Sequence, residues 1–186
     1  MGGHSLGGQL SLLYASLHPT EFAGLLLVAS GAPYWRRFRH GWLIGVAYAL
    51  APLLAGLLGY LPGRRIGFGG NEARGVIADW ARTGRTGLYA AAGMPQDFER
   101  QLASLQLPSL ALRLRDDWLA PQASLDWLLG KLGPAERSVD VITPQELGGP
   151  ADHFGWMKTP APIAAHIARW LTAQDTAVTT PADTVA

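Results

Sequence analysis

The sequence predicts an α/β fold with a parallel sheet, and three observations predict it. Gly3-His4-Ser5-Leu6-Gly7 runs straight into an apolar pattern of helical period. Residues 23–30, AGLLLVAS, form a short continuous apolar run bounded by Gly24 and Gly31, as expected of a parallel strand covered on both faces. From residue 97 onward, helix-like and strand-like stretches follow one another in turn.

The first helix is expected from Ser5 to Leu17. Leu6, Leu10, Leu13, Tyr14 and Leu17 share one helical face, and His18-Pro19 stops the run because the residue before a proline is pushed out of the helical region. The strand at 23–30 ends in a loop at Gly31-Ala32-Pro33. Residues 34–95 then depart from the pattern: an arginine-rich start, a stretch from Gly41 to Pro62 without one charged side chain, Arg64-Arg65, and a helix over 71–82 marked by Val76, Ile77, Trp80 and Ala81. A further helix is expected over 97–106, with Asp97 as N-cap. Ser109 to Arg115 alternates leucines with smaller or charged residues and reads as a strand. Pro121 opens the next helix, through Leu125, Leu128 and Leu129 to Gly130. A last strand, 138–143, leads through a loop to a final helix from Pro160, with Ile163, Ile167, Trp170 and Leu171 on one face. Residues 173–186, rich in Thr, Ala, Pro and Asp, show no pattern and are expected to trail free.

Composition excludes several classes of function. The 186 residues suit one domain with a real core, and 48% hydrophobic against 16% charged content argues against disorder of the bulk. A net charge of +1, with no run of Lys/Arg interleaved with aromatics, gives no draw for nucleic acid. The absence of cysteine excludes disulfides, thiolate metal sites and cysteine catalysis, and it fits a reducing cytoplasm. No secretory pattern opens the chain at Met1, so a cytoplasmic location is expected, with membrane association as its variant.

The glycine-flanked serine has the form of a nucleophile elbow. A serine in a sharp strand-to-helix turn projects its hydroxyl from the top of a sheet and takes up strained backbone angles. Gly3 and Gly7 are expected to supply the room, and the N–H of Leu6, at the helix start, points where negative charge develops on a substrate oxygen. A hydroxyl also needs a base, and an imidazole serves best when a carboxylate fixes its tautomer. An Asp at a strand end, Asp117, and a loop His, His153, follow Ser5 along the chain. On these residues the stretch from Gly2 to about Leu171 resembles the C-terminal part of an α/β-hydrolase, whose chain order is Ser, Asp, His. The resemblance implies that Ser5, His153 and Asp117 act as nucleophile, base and acid. Asp117-Trp118-Leu119-Ala120-Pro121 matches the D-x-apolar-apolar-P pattern of the family's acid, which prefers Asp117 to Asp116. Asp152 reads as a loop cap.

The resemblance implies a partial α/β-hydrolase fold: a core of 1–33 and 96–172, a helical cap at 34–95, and no N-terminal half of the sheet. It also implies cleavage of an ester, thioester or amide bond without metal or organic cofactor. The loop that gives the family its second oxyanion amide is not found, so weak or no activity is expected of the chain as written. Trp35, Trp42, Tyr48 and Tyr60 suggest a small-molecule substrate with a hydrophobic acyl group, and the serine argues against the dehalogenase-like branch, which attacks with a carboxylate. Two readings stand beside this one. The 41–62 segment spans or lies in a bilayer, flanked by arginines on both sides; or the chain completes its sheet with another chain through an open edge. Residues 34–95 hold eight arginines against Glu72 and Asp79, a net of +6, which leaves −5 for the rest.

Overall fold

The computed structural model describes residues 1–66 and 70–179. Its main sheet is four-stranded, parallel throughout, in the order β1-β2-β5-β6. The strands are β1 (Gly2–His4), β2 (Leu25–Val28), β5 (Ser109–Leu114) and β6 (Arg137–Ile142). Leu25, Leu27 and Val28 of β2 and Leu110, Ala111, Leu112 and Leu114 of β5 are all buried, because the two central strands are covered on both faces. On one face, α1 (Leu6–Leu17), α5 (Phe98–Ser104) and α6 (Gln122–Leu129) pack through Leu12, Ala15, Phe98, Leu102, Leu125 and Leu128. On the other, α8 (Ala161–Thr179) lays Ile163 and Trp170 against Leu110, Leu112 and Leu114. Both edge strands keep one ladder partner among the described residues, and β6 exposes Val139 and Val141.

The caps follow the local chemistry. Asp97 accepts the N–H of Arg100 and so caps α5, as its position before the apolar run predicts. Thr143 accepts from Glu146 and caps the short α7 (Pro144–Leu147). Pro121 sits one place earlier than expected, as the residue before α6.

Between β2 and α5 lies the insert. It holds a 3₁₀ turn (Trp35–Arg37), α2 (Gly41–Leu58), α3 (Gly63–Ile66), α4 (Arg74–Thr86) and a two-stranded antiparallel ribbon of β3 (Tyr60–Pro62) and β4 (Asn71–Ala73). The uncharged 41–62 stretch is thus one helix followed by a short strand. Residues 71–73, expected as the start of a helix, pair instead with 60–62, and α4 begins at Arg74. α2 and α4 pack side by side. Tyr48 of α2 is buried, meets Trp80 of α4 edge-on at 4.7 Å, and lies so near Gly84 that a Cβ there would come within 2.3 Å of its ring. Glycine is required at that crossing.

The expectation of a free tail from residue 173 is corrected. α8 runs on to Thr179, because Thr, Ala and Gln continue its turns and Thr172 and Thr176 return hydroxyl bonds to the carbonyls of Ala168 and Thr172. The remainder of that tail, 180–186, lies outside the described residues.

Candidate active site

Three loops converge above the C-terminal ends of the strands. β1 delivers His4 and Ser5, β5 delivers Asp117 three residues past its end, and the segment after α7 delivers His153. Ser5 adopts φ 53° and ψ −121°, a strained conformation for a residue with a Cβ. The surroundings over-determine it: its N–H donates to the Val28 carbonyl at 2.9 Å, and its own carbonyl accepts from Gly8 N–H at 3.1 Å and from the Ser30 hydroxyl at 2.9 Å. Room for the turn comes from Gly3, where a Cβ would approach the Gly7 backbone within 2.5 Å, and from Gly8, where it would meet Ser30 Oγ at 2.1 Å. Gly7 is not needed for this purpose, since a Cβ there would point into open space on the outer side of α1. Sequence reasoning missed Gly8 and Ser30, as the crowding arises between α1 and the end of β2.

From Ser5 the polar contacts form a line. The Ser5 hydroxyl donates to His153 Nε2 at 2.8 Å, and His153 Nδ1 donates to Asp117 Oδ2 at 2.8 Å. Asp117 is buried, and its other oxygen accepts the N–H groups of Leu119 (2.9 Å) and Ala120 (3.0 Å). Those two bonds orient the carboxylate and satisfy a charge that burial would otherwise penalise. The Asp116 side chain is exposed, and its backbone N–H donates to the Ala151 carbonyl at 2.9 Å, stitching the Asp117 loop to the His153 loop. Asp152 accepts from the N–H groups of Phe154 and Gly155, as a loop cap does.

His4 makes a contact no motif announces. Its Nε2–H donates to the His153 carbonyl at 2.9 Å, and its ring lies 4.7 Å from that of His153. Burial is the main force holding the His4 imidazole below its ordinary value of 6.5. Leu6 is the first residue of α1, so its N–H has no acceptor within the helix. Among the described residues no group of His, Cys, Asp or Glu forms a cluster suited to a metal ion.

A buried acid, a tautomer-fixed imidazole and a half-buried hydroxyl in line, under a strained strand-to-helix turn in a parallel sheet, set the frame for comparison with solved structures. The chain has the α/β-hydrolase fold. It superposes on the monoacylglycerol lipase of Paleococcus ferrophilus with a TM-score of 0.54 at 15% identity, covering 93% of this chain and 67% of that one. It superposes on the metagenome-derived lipolytic enzymes LipS and LipT with a TM-score of 0.55 at 16% identity, covering 95% and 64%. A mutant of the haloalkane dehalogenase DatA from Agrobacterium tumefaciens C58 gives 0.51 at 16%, covering 92% and 65%. The chain therefore spans about two thirds of the length of these α/β-hydrolase structures. No family model and no curated sequence matches it. Lipolytic enzymes and a dehalogenase share this fold, so the fold alone does not choose the chemistry.

Proposed function

We propose that this chain carries the nucleophile, base and acid of a serine hydrolase that opens an ester, thioester or amide bond through an acyl-enzyme. The observation that carries the reading is the unbroken line from Ser5 through His153 to Asp117, with 2.8 Å at each step. Ser5 Oγ attacks the substrate carbonyl while its proton passes to His153 Nε2. Asp117 steadies the imidazolium, and the Leu6 N–H donates to the negative charge that forms on the carbonyl oxygen. The tetrahedral adduct collapses, and the proton on His153 leaves with the alcohol, thiol or amine. Water then gives up a proton to the same nitrogen and attacks the acyl group; His153 returns that proton to Ser5 Oγ as the second adduct collapses, and the carboxylic acid leaves.

In this reading residues 34–95 form a cap beside the site. The exposed Trp118 and Phe154, next in sequence to Asp117 and His153, offer apolar surface to an acyl group. Tyr48, by contrast, is buried against Trp80 and does not reach a substrate.

The test is labelling with a fluorophosphonate probe. Ser5 is expected to label, Ser5→Ala to abolish it, and Asp117→Asn to slow it by about 10⁴-fold, because an amide fixes the wrong tautomer of His153. Running the same assay on the reading frame extended upstream asks whether residues before Met1 raise the labelling rate. If neither form labels while both give the circular dichroism of a folded α/β protein, the proposal fails.

A further inference from the structure

We infer that the exposed face of α2 docks on an anionic lipid surface, lying along it rather than crossing it. This stands apart from the catalytic reading, because no residue it uses touches Ser5, Asp117 or His153. α2 is 18 residues long with mean hydropathy 1.9 and no charged side chain, yet only 17% of it is buried. At 1.5 Å per residue it offers about 27 Å of apolar rod. Leu43, Val46, Leu50, Leu53 and Leu57 recur at alternating spacings of three and four and so form one continuous stripe. All five are exposed, Leu53 by 65% and Leu57 by 86%. A contiguous apolar stripe of this size on a folded surface marks an interaction site.

Charge selects the occupant. Arg36, Arg37 and Arg39 precede α2, Arg64 and Arg65 follow it, and all five are exposed. A second copy packed stripe to stripe sets arginines against arginines in either orientation, which repels. An anionic headgroup layer supplies the opposite charge at both ends while the acyl region takes the leucines. Trp42, 64% exposed in the first turn, suits the headgroup boundary. The opposite face of the helix decides against crossing. Tyr48 and Ala55 are buried within the insert, Arg85 of α4 donates to the Tyr48 carbonyl, and α4 carries Arg74, Asp79 and Arg82 as well. A helix fixed to so charged a neighbour cannot enter hydrocarbon whole.

The experiment is sedimentation of the chain with phosphatidylcholine vesicles that do or do not contain phosphatidylserine, at low and high salt, with the tryptophan fluorescence that Trp42→Phe removes as a second readout. Binding is expected only to the phosphatidylserine vesicles, with a blue shift, and with release by high salt. Arg64→Gln with Arg65→Gln should weaken it by about 25-fold, about fivefold for each arginine. Leu53→Gln with Leu57→Gln, at exposed positions that leave the fold intact by circular dichroism, should weaken it by at least about tenfold. Equal binding to both vesicle types, or none to either, overturns the proposal. Retention through high salt and carbonate overturns it in favour of a spanning helix. A dimer in size-exclusion chromatography that the leucine changes dissociate overturns it in favour of a second copy.

Discussion

Pro52 stands inside α2, where its ring nitrogen has no hydrogen to give to the carbonyl four residues back, that of Tyr48. Arg85 of α4 fills the gap, with Nη1 donating to the Tyr48 oxygen at 2.7 Å. The perturbation is Arg85→Ala, alone and on a Pro52→Ala background. A bond from a charged donor contributes about 1.5–3 kcal/mol, but Arg85 is largely exposed, and screening brings the expectation to about 1–1.5 kcal/mol. With alanine at 52, the restored amide bonds the same carbonyl, and losing Arg85 should then cost only a few tenths. The coupling in the cycle is therefore about 1 kcal/mol. Any apolar contact of the Arg85 stem is lost in both backgrounds and cancels. Urea unfolding reads this: with a slope of about 2 kcal/mol per molar, Arg85→Ala lowers the midpoint by roughly 0.5 M with proline at 52 and by much less with alanine. An equal shift in the two backgrounds, within about 0.3 kcal/mol, refutes the idea that the arginine substitutes for the missing amide.

Two further outcomes can be measured on the same chain. His166 of α8 bonds Asp140 of β6 through Nδ1 and Glu146 of α7 through Nε2, both at 2.6 Å. Burial and the nearby Arg169 pull its pKa down, but the bonds to Glu146 and Asp140 outweigh them and raise it above 6.5. A raised value means that the folded state holds the proton more tightly. The stabilisation is thus full below pH 6.5 and is lost as pH climbs through the raised value. His166→Gln should lower the unfolding midpoint at pH 5.5 and hardly at all at pH 9, whereas a deficit independent of pH would assign His166 a packing role only. Gly8→Ala drives a methyl into Ser30 Oγ and should destabilise the chain by about 1–3 kcal/mol while slowing labelling at Ser5. Adding Ser30→Ala, which removes the obstructing oxygen, should recover part of the stability, and no recovery would place the strain elsewhere.

Much of this arrangement was legible in the sequence because chemistry restricts residue types more tightly than packing does. A serine between glycines at a helix start, an aspartate four residues before a proline and a loop histidine can be read without coordinates, and so can the apolar run of β2. The preference for Asp117 over Asp116 came with the resemblance to the acid pattern of the α/β-hydrolases, and Asp117 is the one that meets His153. What was not legible depends on partners distant in sequence. Ser30 matters through the Ser5 carbonyl, Gly8 through Ser30, and Arg85 through Tyr48, and none of these pairings leaves a local pattern. Gly7 misled because the five-residue motif names it, whereas the crowding falls one residue later. The 60–62 and 71–73 ribbon escaped notice because three-residue strands are too short for alternation to register. α8 outran its apolar face because a helix already nucleated adds residues at one hydrogen bond each, which needs no apolar pattern for a reader to find.

The strand order has a consequence in time. β1 and β5 carry the serine and the aspartate to their places, and β2 lies between them. β2 can find β5 only after the whole insert from 34 to 95 has been looped out, and parallel pairing across so long a loop is slow. Ser5 and His153, 148 positions apart, then meet only when the last long-range ladder is in place. On the proposed serine chemistry, labelling at Ser5 becomes a clock for this molecule: in a refolding chain the hydroxyl meets its imidazole only when the sheet closes, so a probe that reads chemistry also dates that step of assembly.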